Sequence, residues 1–447
     1  MNFQESVRYL LSLGRELAAP TQATAAKFNL ENIAVLAKSL GRPDKKYPSV
    51  HIAGTNGKGS TAAFLESILR RAGYRTGLYT SPHLERINER IQVNGQEIPD
   101  AVFASAFSRI QATIEELLAK GTLRAHPTFF ECVTTLAFAH FAEANVEFAI
   151  FETGLGGRLD STNILTPLVS VITRVDFDHE NFLGHSLREI AMEKAGIIKP
   201  DVPVVIAGQQ HEESREILVA RALECNGSVV DVGGAFAIEA EPTIEGRTRA
   251  IATHIASATR FKIAPQLAGR FQLHNALNAV ATAQILQSKG FRVSGSDIEQ
   301  GIAAATWPGR IEKVQANPDI YLDGAHNPAA ARELAAFLDE NFANRKLILI
   351  FGALRDKAVD EIAGILFPRA TEVIFTEPRT PRSISATQLA EIAGHHASHF
   401  EIIPDAEKAL AAVLAKTKPQ DAIFVTGSLY LVGQLRPRWL PRSQAVG

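Results

Sequence analysis

Residues 49–74 read SVHIAGTNGKGSTAAFLESILRRAGY. SVHIA (49–53) is a run of apolar and β-branched residues that suits a buried strand, and from about Thr61 the chain takes the apolar spacing of an amphipathic helix. Between the two, Gly54, Gly57 and Gly59 fall within six residues. Strand, glycine-rich loop and helix in that order make a phosphate cradle. Backbone N–H groups and the helix N-terminus surround the phosphate oxygens, a lysine adds a point charge, and a hydroxyl faces magnesium. Thr55, Asn56, Gly57, Lys58, Gly59 and Ser60 are therefore candidate nucleotide contacts, with Lys58 and Ser60 as the charge and the hydroxyl. The loop departs from the regular phosphate-loop spacing, because Gly59 stands between Lys58 and Ser60. A plain glycine turn is the alternative, and the density of glycines between strand and helix favours phosphate.

Outward from this loop, short β-branched runs alternate with longer helical patterns, the signature of a parallel sheet with crossover helices. Strands are expected at 49–53, 76–80, 147–152, 168–175 and 202–207. A stretch from about Gly227 to Gln266 mixes Val, Ile and Thr runs with turn residues and reads as a small antiparallel addition. A helical segment runs from near Gly269 to about Thr306, where Trp307, Pro308 and Gly309 break the pattern. A second strand-helix series follows, with strands at 320–325, 346–353, 372–377 and 422–428. The expected fold is α/β with two domains. Residues 1–306 form an ATPase-like parallel-sheet domain with the antiparallel addition, and 307–447 a smaller Rossmann-like domain, the division that 447 residues suggest.

Composition removes several function classes. With 46 basic and 48 acidic side chains the net charge is −2, so no global field exists to hold nucleic acid or an anionic membrane. Cys132 and Cys225 are too few for a disulfide framework or a thiolate metal site, which fits a reducing compartment. The N-terminal segment has no basic start with an apolar core, and no stretch has about twenty uninterrupted apolar residues. A cytoplasmic protein is expected.

Ligands of open parallel sheets sit beyond the carboxyl ends of the strands. Ser81 follows one expected strand, Glu152 closes another, and Asp176, Asp178 and His179 follow a third. Oxygen and imidazole donors suit a divalent cation paired with phosphates. In LREIAMEKAGIIK, Leu187, Ile190, Ala191, Lys194, Ile197 and Ile198 share one face. A lysine on that stripe is either a snorkelling side chain or a desolvated amine able to take up carbon dioxide as a carbamate. In PTFFECV, Thr128 and Glu131 have capping-box spacing, and Phe129 and Phe130 are able to wall a flat ring.

Together these motifs resemble the folylpolyglutamate synthase and dihydrofolate synthase family of the Mur ligase superfamily, nearly end to end. The resemblance is carried by GTNGKGS (54–60), TSPHLERINERI (80–91), ETGLGGRLDSTN (152–163), DFDHENFLG (read with Val175 from Asp176), EKAGIIK (193–199), WPGRIE (307–312) and LDGAHNP (322–328). It implies one magnesium ion held by Ser81 and Glu152, and a second held by His179 and carbamylated Lys194. It implies that ATP phosphorylates a pteroate or folate carboxylate and that the amine of L-glutamate then displaces phosphate. Asn278, Arg310 and Asp323 would contact ATP, with His326 close to the transferred phosphate and Lys58, Lys194 and His326 the catalytic set. Thr128, Phe129, Phe130, Glu131, Leu159, Asp160 and Ser161 match the family's dihydropteroate positions, Asp160 as acceptor for the pterin amino group. The family expectation is a monomer whose partners are small molecules. One departure is Ala358, where GALRDKAVDEI lacks the second acidic residue usual after DK.

Competing readings are an ATP-hydrolysing switch that makes no amide, a cell-wall amino-acid ligase, a monofunctional folylpolyglutamate synthase and a degenerate scaffold. The strand-end donors oppose the switch. TSPHLERINERI opposes the cell-wall ligase, and the full set of candidate ligands opposes the scaffold. Activity on both dihydropteroate and reduced folates is the reading adopted.

Overall fold

The computed structural model describes residues 1–13 and 29–440. The strand of the glycine loop lies in the middle of an eight-stranded sheet. Its strands are β1 (Ser49–Ala53), β2 (Thr76–Tyr79), β3 (Ile91–Val93), β4 (Gln96–Glu97), β5 (Phe148–Glu152), β6 (Val169–Ile172), β7 (Val204–Ile206) and β8 (Val229–Asp231). Their order is β4-β3-β2-β5-β1-β6-β7-β8. Only β3 and β4 are antiparallel to their neighbours. β1, β2, β5, β6 and β7 are buried throughout, as expected for a parallel sheet covered on both faces.

One face carries the helix Lys58–Arg71 beside Phe271–Ser288, with Gly295–Ala304 packed against the first. The approach is close, because a Cβ on Gly301 would lie 2.5 Å from Ile68 Cα. The opposite face is covered by Asp100–Ala119 and Phe129–Glu143, which bring Phe103, Phe107, Phe138 and Phe141 into an aromatic core with Phe151. The helical stretch expected as one segment from 269 to 306 is thus two helices, interrupted where Gly290 adopts a positive φ of 91°. The antiparallel addition is a three-stranded sheet, β9 (Phe236–Ala240), β10 (Ala250–His254) and β11 (Thr259–Ile263).

From Glu312 the chain builds a six-stranded sheet of β12 (Glu312–Gln315), β13 (Asp319–Leu322), β14 (Leu347–Phe351), β15 (Glu372–Glu377), β16 (Phe400–Asp405) and β17 (Ala422–Thr426), ordered β12-β13-β17-β14-β15-β16. β12 alone is antiparallel. The two sheets have separate cores, Val50, Phe64 and Ile150 in one, Leu349, Phe375 and Phe424 in the other. No helix among the described residues is long and apolar enough to cross a membrane.

His51 on β1 is fully buried, and burial pushes its imidazole down to about 3. The folded state therefore keeps it neutral, whereas the unfolded chain protonates it below the ordinary value of 6.5. As pH falls from 6.5 towards 3, His51 alone withdraws roughly 1.4 kcal/mol of stability per pH unit. A thermal midpoint falling steeply below pH 6.5, and less steeply in His51→Gln, is the expected result of melting at a series of pH values.

Candidate active site

The strand ends, the glycine loop and the start of the second sheet enclose one cleft, with about 1070 Å³ of empty space counted together with its open side. The loop is shaped by what it presses against. Gly54 has φ 149°, and a Cβ there would lie 1.8 Å from Thr173 Oγ1; Gly57 has φ 89°, and its Cβ would meet Asn275 Oδ1 at 2.3 Å. Glycine is the residue that fits both. Thr55 ties the loop to the end of β6, its hydroxyl donating to Asp176 O at 2.8 Å and its N–H to Arg174 O at 2.8 Å. The helix that starts at Lys58 has no side-chain cap, so its first N–H groups face the cleft with the positive end of the helix dipole.

Lys58 is folded over this loop, its Nζ donating to the carbonyls of Gly54 and Thr55 at 3.0 Å each. Lys194 reaches the same point from the helix Leu187–Ala195, donating to Gly54 O at 3.0 Å. Its side chain is buried, with Ile190 and Ala191 on the same helix. Burial first, then the charge of Lys58, bring its amine down to about 7. The desolvated alternative for this residue is the one the packing shows; its head does not snorkel.

Glu152 ends β5 inside the cleft and accepts the Ser81 N–H at 3.2 Å. Burial raises its carboxyl to about 7, while Lys58 pulls the other way. His179 stands at the start of a short helix with φ 53°, and burial pushes its imidazole down to about 3. Among the described residues, its buried Nδ1 has no hydrogen-bond partner, and Asp356 Oδ2 is 3.8 Å away. Asp178 accepts from Lys357 Nζ at 2.6 Å and from Asn327 Nδ2 at 3.0 Å. Burial works to raise Asp178, but Lys357 and His326 outweigh it and hold the carboxyl well below its usual range.

A hydroxyl, two carboxylates, a buried imidazole and a desolvated amine form a donor set that fits divalent cations with hard or borderline preferences. The residues present are therefore compatible with the magnesium ions that the sequence implies.

The second sheet supplies the far wall. Arg310 is half-buried there and Asp323 is buried; Asp323 accepts from the backbone N–H of Ile311 and Ala325 at 2.9 and 2.8 Å. His326 holds its Nδ1 2.7 Å from Gly324 O and turns Nε2 to within 3.7 Å of Asp178. Asn56 and Asn327 exchange side-chain hydrogen bonds at 3.1 and 3.0 Å, joining the glycine loop to the second sheet.

Not every expected residue reaches this cleft. Asn278 is buried against Thr61, at 3.5 Å, and it is Asn275, one turn earlier in the same HNALNA motif, that lines the wall. Lys357 was not singled out from the sequence, although it belongs to the quoted DK pair; its Nζ also lies 3.3 Å from His179 Nε2. Ala358, the departure noted above, begins the helix Val359–Leu366 without a side-chain cap.

The expected pterin residues lie apart from the phosphate loop. Thr128 and Glu131 form the capping box of Phe129–Glu143, Phe129 packs under the Arg90 guanidinium, and Phe130 lies against Gly154. Leu159 and Ser161 flank Asp160 on the 157–164 turn. Asp160 is buried and accepts four bonds: Gly154 N–H at 2.9 Å, Leu155 N–H at 3.0 Å, Thr162 N–H at 3.0 Å and Thr162 Oγ1 at 2.5 Å. A carboxylate has about four acceptor positions, so these leave none for a pterin amino group. The structure gives Asp160 the task of shaping the loop after Glu152. Asp160→Asn replaces an acceptor by a donor facing two N–H groups, an expected loss of about 1–3 kcal/mol read as a lower thermal midpoint. Turnover should fall with it because Glu152 loses its support.

Comparison with known proteins agrees with this arrangement. The Mur ligase middle domain matches residues 52–283, and the Mur ligase glutamate ligase domain matches 309–429. A dihydrofolate synthase/folylpolyglutamate synthase of Bacillus subtilis is 36% identical over 416 residues, 89% of this chain and 92% of the relative. The enzyme of the same name from Escherichia coli is 34% identical, over 91% and 90%. Among solved structures, a Mycobacterium tuberculosis folylpolyglutamate synthase complexed with ADP superposes with a TM-score of 0.89 at 30% identity, over 99% of this chain and 98% of the other. The E. coli protein in complex with DHPP and ADP gives 0.83 at 30% identity, over 98% and 97%. With the fold, the glycine loop and near full-length similarity in agreement, this chain belongs to the dihydrofolate synthase/folylpolyglutamate synthase family of Mur ligases.

Proposed function

We propose that this chain joins L-glutamate to the carboxylate of dihydropteroate, and to reduced folates, through an acyl phosphate made from ATP. The observation that carries this reading is the convergence of Lys58, Glu152, His179, Lys194, Arg310 and His326 on one cleft between the two sheets. The relatives' names and the complex of the E. coli protein with DHPP and ADP support the substrate class.

In this reading the N–H groups of Gly57 to Ser60 cradle the phosphates, and Lys58 leaves its own loop carbonyls for a phosphate oxygen. Arg310 and Asp323, carried on the second sheet, hold the nucleotide from the other side. Ser81 and Glu152 would hold one magnesium ion, and His179 with carbamylated Lys194 would hold a second. When bound, these ions neutralise charge on the transferred phosphoryl group. His326, with Nδ1 fixed by Gly324 O, presents Nε2 towards the phosphoryl position. The substrate carboxylate oxygen attacks the γ-phosphorus and ADP leaves; the glutamate amine then attacks the acyl carbon, phosphate leaves, and a proton is lost from nitrogen. Closure of the residues from Glu312 onward over the loop, by the Asn56–Asn327 pair, keeps water from the mixed anhydride. The units meet at Trp307–Gly309, placed as the boundary, and Trp307 packs against Gly59.

Asn278 is placed in this reading as a support for Thr61, and Thr128, Phe129, Phe130, Glu131, Leu159 and Ser161 as the wall of the pterin end. The balanced charge supports action on small molecules alone, with no nucleic acid or membrane partner. Mass spectrometry of products with ATP, magnesium, glutamate and either dihydropteroate or tetrahydrofolate tests the function. A one-glutamate gain on both is expected. A gain on the folate alone reduces the activity to folylpolyglutamate synthesis, a reading that the 33% identical Lacticaseibacillus casei folylpolyglutamate synthase also supports. Phosphate release without glutamate dependence contradicts both.

A further inference from the structure

In the second sheet's unit, two consecutive histidines face one carboxylate, three residues beyond Lys357. His396 Nε2 lies 3.0 Å from Asp360 Oδ1 and His395 Nε2 lies 3.6 Å from the same oxygen. All three donor atoms fall within 4.8 Å of one another. Two donors bound to one tetrahedral ion at about 2.1 Å are about 3.4 Å apart, so both measured distances match a shared ion. The two donor elements are distant in sequence: Asp360 is in the first turn of Val359–Leu366, and the histidines are on the turn Gly394–His396.

Two further observations concern access and fit. The side chain of His395 is 63% exposed, so an ion can enter and water can complete its coordination. Gly364, inside the helix, faces the His396 ring, whose Cε1 would be 3.3 Å from a Cβ there. A glycine inside a helix costs about 1 kcal/mol relative to alanine, and here it leaves the imidazole room to lie against the helix. The neighbouring Glu361 carboxylate is engaged by Arg332 at 3.2 Å and does not compete for the histidines.

We propose that Asp360, His395 and His396 form a surface site for a borderline divalent transition metal ion of the zinc, cobalt and nickel class. Two imidazoles and one carboxylate select such ions over magnesium, which prefers an all-oxygen shell. The site joins Val359–Leu366 to the Gly394–His396 turn, and none of its three residues lines the cleft.

The test is cobalt(II) titration of the tag-free full-length chain, in excess magnesium to occupy the cleft, followed by visible absorption and calorimetry. One equivalent with imidazole-type visible bands is expected. The double variant His395→Gln/His396→Gln should bind it at least about 10–100-fold more weakly, the loss that even an outer partner of a metal site causes. Its thermal midpoint without metal and its magnesium-dependent turnover should be unchanged. Equal stoichiometry and affinity in the double variant, or no binding to the wild-type chain, overturns the proposal.

Discussion

Lys194→Ala is expected to lower turnover by roughly 10²–10³-fold, the effect of removing a preorganised charge from a phosphoryl or acyl transfer site. Lys194 donates to Gly54 O, and its buried stem lies on the apolar face of its helix with Ile190 and Ala191. Desolvation and the nearby Lys58 bring its amine to about 7, so a large share is neutral at neutral pH. A neutral amine adds to carbon dioxide, losing a proton and becoming an anionic carbamate. That anion would sit beside Lys58 and change a repulsion between two lysines into an attraction. Carbon-13 NMR after incubation with labelled bicarbonate should show one carbamate signal, absent in Lys194→Ala. Short carboxylic acids should partly restore the variant by filling the position left by the carbamate. Full activity in Lys194→Ala would remove Lys194 from the mechanism.

Lys58→Met should lower kcat/KM for ATP by on the order of 10²–10³-fold, again as the loss of one charged contact to the transferred group. The methylene stem is kept, so packing of the helix Lys58–Arg71 should hold and the melting temperature should change little. What disappears is a cation that donates to two carbonyls of its own loop. Those bonds hold Lys58 over the place where phosphate would enter, and the ligand-bound form needs only a side-chain rotation. Burial already pulls the Lys58 ammonium below its usual range, and an incoming phosphate would restore its charge. Isothermal titration with a non-hydrolysable ATP analogue should therefore separate the two variants. Lys58→Met loses affinity for the nucleotide itself, whereas Lys194→Ala retains most nucleotide binding and loses chemistry.

Much of this was legible in the sequence for a local reason. The glycine loop, its strand and its helix depend on residues within a dozen positions, and so does the capping box of Thr128 with Glu131. The central parallel strands were readable because they are buried on both faces and mostly apolar, as in Phe148–Glu152 and Leu347–Phe351. β12 and β16 are edge strands, the first mostly half-buried and the second largely exposed, so no long apolar run marks them. The β3-β4 hairpin does carry a local signal, Asn94-Gly95, both with positive φ.

The site itself was less legible where it depends on docking. Asn275 and Asn278 are one turn apart, and which one meets the cleft depends on the rotation of the helix. Lys357 gains its meaning only when the second sheet places it beside Asp178. Asp160 was read as free for a ligand because nothing in sequence shows that four donors of its own chain surround it.

The central claim is that ATP activates the substrate as an acyl phosphate in the cleft between the two sheets. Transfer of oxygen-18 from the labelled carboxylate of dihydropteroate to inorganic phosphate, measured by mass spectrometry during turnover with glutamate, tests it most directly. One labelled oxygen in each phosphate released is the predicted result. Unlabelled phosphate, formed while the amide product accumulates, would contradict the account.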